Sequence, residues 1–321
     1  MKTFVARRLA NALLLLIGVS FLTFWVIDLA PGDPATILED ETIPREIQDQ
    51  MRREFGLDRP FFTRYGMWLE RAALHGDFGT SISYRQPVFA LIAPRLGSTL
   101  LLALAAAALA WGLAIPLGVF AAVRQHSGWD RAAAFAAFLG LSIPEVVLAL
   151  GLLLMAGATG WFPIGGMRSP EWDLLSPAGR ALDILHHLFL PALVLGVIPM
   201  AARMRQMRAS LLDVLRLDYV TTARAKGLPE RTVIWKHAVR NALNPLITLF
   251  GFTLAKLLSG ALVIEVIFSW PGIGRLTYEA VYRQDYFLVQ ASLLMASLML
   301  ILGNLVADIL LAAADPRVRF S

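Results

Sequence analysis

Leu9–Leu29 reads LANALLLLIGVSFLTFWVIDL. A bilayer core is ~30 Å thick and takes about 20 apolar residues to cross as a helix, so this stretch is long enough to cross one. Lys2, Arg7 and Arg8 precede it. A secretory signal peptide has the same charge order, but its apolar region runs to ~7–15 residues and ends at a small-residue cleavage site. Here the run is longer and no A-x-A follows, so the expectation is a retained first transmembrane helix over 1–30.

Five further apolar stretches lie at 98–123, 132–158, 187–207, 243–268 and 288–312. The composition agrees: 57% of residues are hydrophobic and 17% charged, against about 25% charged in soluble domains. Backbone facing lipid must satisfy its own hydrogen bonds, which selects helices. The expected fold is an all-α polytopic membrane protein with six transmembrane helices. Pro116, Pro144, Pro191, Pro199 and Pro245 interrupt the spans. Small residues such as Ala103, Ala107 and Ala110 recur along the second span, which suits close helix packing in lipid. There are no cysteines, which excludes disulfides, thiolate metal sites and thiol catalysis.

Six spans place both termini on one side, together with the 124–131 loop and the 203–241 segment. That side holds 16 Lys and Arg against five acids, whereas acids slightly outnumber bases in 31–97, 159–186 and 269–287. The basic side is therefore expected to be cytoplasmic. The same bias accounts for the pI of 9.8 without a nucleic-acid partner. Ionisable residues inside spans are few: Glu145, Lys256 and Asp308. A proton-coupled secondary carrier would need a chain of such groups and internal repeats. A non-transporting membrane anchor or receptor would be expected to carry a long cytoplasmic signalling domain.

The chain has no G-x-x-x-x-G-K-[ST] phosphate loop, no H-E-x-x-H and no G-x-S-x-G elbow. The neighbouring pair His186–His187 points to different helix faces and makes a poor metal site. No catalytic residue, metal ligand or cofactor is expected, and uphill transport would draw its energy from another polypeptide.

One polar stretch breaks the pattern. Asp218–Asn241 reads DYVTTARAKGLPERTVIWKHAVRN. Gly227 fits a left-handed helix cap and Pro229 a helix start, so two short helices joined by a tight turn are expected within the loop 208–241. Ala223 and Gly227 stand four apart on one face without bulk, ringed by Arg224, Lys226 and Arg231. That shape suits insertion into another protein's groove. A helix lying on anionic lipid is the competing reading, with a DNA-reading helix-turn-helix a distant third.

At these residues the sequence resembles the membrane permeases of ATP-binding-cassette importers, in the dipeptide, oligopeptide and nickel permease family. The stretch matches the family's coupling motif E-A-A-x-x-x-G, with Ala223 as the second Ala and Gly227 as the Gly; Thr221 and Thr222 stand at the Glu and first Ala positions. TARAKGL at 222–228 looks like the peptide-permease branch. LAPGDP at 29–34, GLDRP at 56–60, GDFGTS at 76–81, FSWPGIGRL at 268–276 and DPRVR at 315–319 follow in family order. The resemblance implies a bacterial or archaeal plasma (inner) membrane, an extracytoplasmic insertion over 31–97 and a transport core over 98–321; within the insertion, the amphipathic pattern of IPREIQDQMRREFGL at 43–57 supports one exposed helix. It implies a second homologous permease, two cytoplasmic ATPases that bind ATP and Mg, and an extracytoplasmic solute-binding protein. It implies that Asp218, Tyr219, Thr222, Ala223, Arg224, Ala225, Lys226 and Gly227 couple to an ATPase. The substrate-binding residues and the cargo stay open among peptides, nickel chelates, opines and glutathione.

Overall fold

A computed structural model describes residues 2–29 and 59–314. The expected helix at 43–57, most of LAPGDP and the DPRVR tail lie outside them, as do the side chains of Lys256 and Asp308. The described residues are helical apart from loops and one isolated bridge, Thr80–Pro87. The helices are α1 (Lys2–Leu29), α2 (Phe61–Glu70), α3 (Val88–Val123), α4 (Gly128–Ser142), α5 (Glu145–Thr159), α6 (Pro177–Leu215) and α7 (Asp218–Ala225). The next, α8, starts at Glu230–Thr232, becomes π-helical over Val233–Val239 and ends with Arg240–Ala242. Then come α9 (Asn244–Ile267), α10 (Ile273–Tyr282) and α11 (Tyr286–Ala314).

Among the described residues, α1, α3, α6 and α11 are each long and apolar enough to cross a membrane. A fifth crossing arises if α4 and α5 form one span. The apolar run 132–158 is drawn as one span from sequence, but the structure bends it by 101° between α4 and α5. Pro144 has no N–H to continue the α4 ladder, and Ile143 before it is extended (φ −81°, ψ 122°). The helix drawn from residue 98 begins at Val88.

Two compact units divide the chain. The first takes residues 1–98 and 272–299. Here Phe21 and Phe24 of α1 meet Phe61 and Tyr65 of α2 edge to face at 5.3–5.8 Å. Trp68, Phe78, Val88, Ile92, Leu276 and Leu288 form its core. Asp285 is wholly buried and caps α11, accepting from the Leu288 N–H at 3.3 Å. The same carboxylate accepts from the Ser81 hydroxyl at 2.5 Å and the Ser83 N–H at 3.0 Å, which ties the 76–87 loop to the head of α11. Gly79 sits at φ +92°, where the Phe287 ring approaches to 3.0 Å of an added Cβ, so only glycine serves there.

The second unit takes residues 99–271 and 300–321. One seam of its core, between α3 and α6, is built on small residues. A Cβ on Gly196 would come within 3.0 Å of the Ala106 carbonyl, and one on Gly118 within 2.8 Å of the Met204 carbonyl. Ala103, Ala106, Ala110 and Ala114 are buried along α3. Lipid offers helices no hydrophobic drive to associate, so this close approach is itself the adhesion. Alongside, Gly140 of α4 packs on Val197 of α6, and Arg208 clasps the buried Asp130 through two bonds of 2.6 and 2.7 Å. Elsewhere Thr99 donates to the buried Glu265 at 2.6 Å, and the Gly166 N–H bonds the Phe268 carbonyl at 2.9 Å.

Gly118→Leu is therefore expected to lower the thermal midpoint of the detergent-solubilised protein by an overpacking cost of about 1–3 kcal/mol. Gly112→Leu, where nothing lies within 4 Å of an added Cβ, is expected to leave it unchanged or raised. Equal shifts for the two variants would show that the seam is not close-packed.

Candidate functional site

The polar stretch folds as sequence chemistry dictates. Asp218 stands in the first turn of α7 and Arg224 in the last, each favourable to the helix dipole. The chain then turns through Gly227, whose φ of +74° is left-handed, and Pro229 precedes the first turn of α8. Arg224 reaches across that turn to Glu230, its guanidinium lying 2.8 Å from Oε1 and 3.2 Å from Oε2. Their side chains are 42% and 55% exposed, so the pair pins the turn weakly. The hydrogen bond from Arg224 holds the Glu230 carboxyl below its ordinary range, and the same bond raises Arg224. Asn241 of α8 donates to the Tyr219 hydroxyl at 2.8 Å, a second tie between the helices.

The inner face of α7 is anchored. Val220 and Ala223 share a core with Val119 and Ala122 at the end of α3, Met207 and Leu211 of α6, and Val233, Ile234 and Ala238 of α8. Ala223 is only 7% exposed. This corrects the bare-face expectation: Ala223 turns into its own chain, because α7 must cover the apolar ends of α3 and α6. The outer face presents Asp218, Tyr219, Thr221, Thr222, Arg224, Ala225, Lys226, Gly227 and Leu228. Of the eight residues singled out by sequence, seven are exposed together and one is buried. Reading the sequence missed Leu217 and Leu228, exposed apolar residues flanking the helix, and Glu230 as the partner of Arg224. The Glu230 pairing had a signal, an acid six residues beyond an Arg across a Gly-Leu-Pro turn.

Elsewhere, the His186 Nε2 lies 2.8 Å from the Trp161 carbonyl and the His187 Nδ1 lies 2.8 Å from the Asp183 carbonyl. Both rings are thereby engaged with backbone. No cluster of three His, Cys, Asp or Glu suited to a metal is found among the described residues.

Long apolar helices, with one polar helix seated on the ends of two of them, define a polytopic α-helical membrane protein. Residues 114–320 match the family described as the binding-protein-dependent transport system inner membrane component, and residues 1–103 match its N-terminal counterpart. The chain belongs to this family of inner-membrane permeases. It is 39% identical to the oligopeptide transport system permease protein AppB of Bacillus subtilis, over the whole of both chains. It is 37% identical to the dipeptide transport system permease protein DppB of Escherichia coli K12, over 99% of each. A Brucella suis protein described as a putative peptide permease is 39% identical over 99% of each chain. The protein is thus a membrane permease subunit of an ATP-binding-cassette importer and not an enzyme, ATP hydrolysis belonging to separate ATPase subunits.

The Arg224–Glu230 pair gives a signed pH dependence. Because the folded carboxyl is depressed, its stabilisation is fully present above the unfolded value of about 4.3 and is lost as pH falls through the folded value. Glu230→Gln should cost no more than about 1 kcal/mol at neutral pH. Its difference from the parent protein in thermal unfolding should vanish in acid. A larger loss, or one independent of pH, would mean that Glu230 does something other than pair.

Proposed function

We propose that this chain is one of two homologous permeases lining the path of a peptide importer, and that α7 is its coupling helix. The observation that carries this is the two-sidedness of α7. Its inner residues, Val220 and Ala223, are locked into one core with the ends of α3 and α6, while its outer residues are bare. A push on the outer face therefore moves the ends of two long apolar helices. ATP-driven closure of two cytoplasmic ATPases, each binding ATP and Mg, supplies that push and switches the spans between inward- and outward-open states as rigid bodies. An extracytoplasmic solute-binding protein delivers the cargo. The peptide assignment rests on the printed names of the relatives.

The topology in this reading has six spans, with α9 the fifth and α11 the sixth. The 31–97 insertion lies outside and both termini lie in the cytoplasm. It rests on the distribution of Lys and Arg.

The contact surface on an ATPase is the outer face: Tyr219, Thr222, Ala225 and Lys226, flanked by Leu228. Ala225→Trp and Thr222→Trp place bulk there without entering the core. Both are expected to keep the thermal midpoint of the chain and to weaken co-purification of the ATPases and transport together. Ala223→Trp is expected to lower the midpoint as well, by about 1–3 kcal/mol of overpacking. Full ATPase retention and transport in Ala225→Trp would remove α7 from the coupling role.

Topology has its own test, and the chain's lack of cysteine leaves no background. Ala225→Cys should react with an impermeant thiol reagent only from the cytoplasmic side. Leu174→Cys, at a position 87% exposed between α5 and α6, should react only from outside. Reaction of both from one side would overturn the map.

A further inference from the structure

The π-helical stretch of α8 aligns two faces that an α-helix would scramble. A π turn closes from residue i to i+5, so one face recurs every four to five residues, about one residue more than in an α-helix. Val233 and Ile234, then Ala238 and Val239, are buried at that spacing. Arg231, Trp235 with Lys236, and Arg240 are exposed at the same spacing on the other side. The exposed face is thus three cations around one large aromatic, with Trp235 49% exposed. The one acid of α8 is Glu230, already held by Arg224.

The place of this face in the fold is set by its packing. The buried side of α8 shares a core with Val119 and Ala122, in the last turn of α3, and with Met207 and Leu211 near the end of α6. Its last residue, Ala242, is one residue from the start of α9. The helix therefore lies across the ends of two long apolar helices and leads directly into a third. Beside the start of an apolar span, Trp is favoured at lipid headgroups by its amphipathic ring, and Lys and Arg by anionic phosphate.

We propose that the outer face of α8, Arg231, Trp235, Lys236 and Arg240, is a binding surface for anionic phospholipid headgroups of the cytoplasmic leaflet. It is distinct from the ATPase-facing side of α7. The two helices of the pair divide the work: α7 meets protein and α8 meets lipid. The inference rests on the cytoplasmic orientation proposed above.

The test uses the complete importer reconstituted in vesicles, with a fluorophore on Lys236→Cys. The quenchers are phosphatidylglycerol or phosphatidylcholine, each carrying a nitroxide near the headgroup end of one acyl chain, at equal mole fraction. Stronger quenching by phosphatidylglycerol is expected, weakening as salt rises. Arg231→Gln and Arg240→Gln should each cut that preference about fivefold, the equivalent of ~1 kcal/mol per basic residue. Equal quenching of the 236 label by both lipids overturns the proposal. So does a label that neither lipid quenches but the ATPases shield, which would assign the face to protein. If the 236 position reacts with impermeant reagent from outside, the orientation has failed, and that outcome is distinct from a loss of lipid preference.

Discussion

The platform under the polar helix pair depends on the close approach of α3 and α6. Backbone comes so near backbone at Gly196 and Gly118 that a single added carbon would collide with a carbonyl oxygen. In water such an interface would be one contributor among many. In lipid it counts for more, because the tails compete with apolar side chains on equal terms. The seam fixes where the ends of α3 and α6 stand relative to each other, and those ends form the shelf that α7 and α8 occupy. The polar helix pair is small, and neither of its helices would persist alone in water. It holds its shape because Val220, Ala223, Val233, Ile234 and Ala238 have a rigid apolar shelf to cover.

Hydropathy and punctuation revealed the outline of this architecture. Apolar runs marked the long helices, and Gly227 with Pro229 marked the turn between α7 and α8, since few other residues accept those backbone conformations. Pro144 was visible as an interruption, but its consequence was not. A missing N–H marks where a ladder ends, whereas the 101° bend depends on how α5 then packs. The orientation of α7 was also hidden. Four-residue spacing shows that Ala223 and Gly227 share a side of the helix, and says nothing about which side the rest of the chain covers. The π-helical register of α8 has no simple signature, because it is chosen by the partners of Val233, Ile234, Ala238 and Val239 rather than by local propensity.

The short motifs that first suggested a family have physical reasons in the first unit. In GDFGTS, Gly79 holds a left-handed conformation under the Phe287 ring, and Ser81 donates to Asp285, 204 residues away in sequence. Asp77 closes a small turn by accepting from the Gly79 N–H at 2.9 Å. Tyr84 donates to Glu279 at 3.1 Å, and Glu279 in turn accepts from Arg275 at 2.8 Å, an arginine of FSWPGIGRL. The Tyr84 N–H donates to the Ser81 hydroxyl at 3.0 Å, so two motifs far apart in the chain belong to one partly buried polar network, in which losing a single acceptor strands several donors at once.

The burial of Ala223 beside the exposure of Thr222 and Ala225 divides one eight-residue helix between two sets of constraints. Val220 and Ala223 answer to the permease's own core, so any change there must be matched by repacking within this chain. Thr222 and Ala225 answer only to whatever molecule meets them. On the coupling reading, a permease can be retuned to an unfamiliar ATPase by altering the outer row alone, leaving the transmembrane machinery untouched. Such a helix is an adaptor whose socket and plug can drift independently.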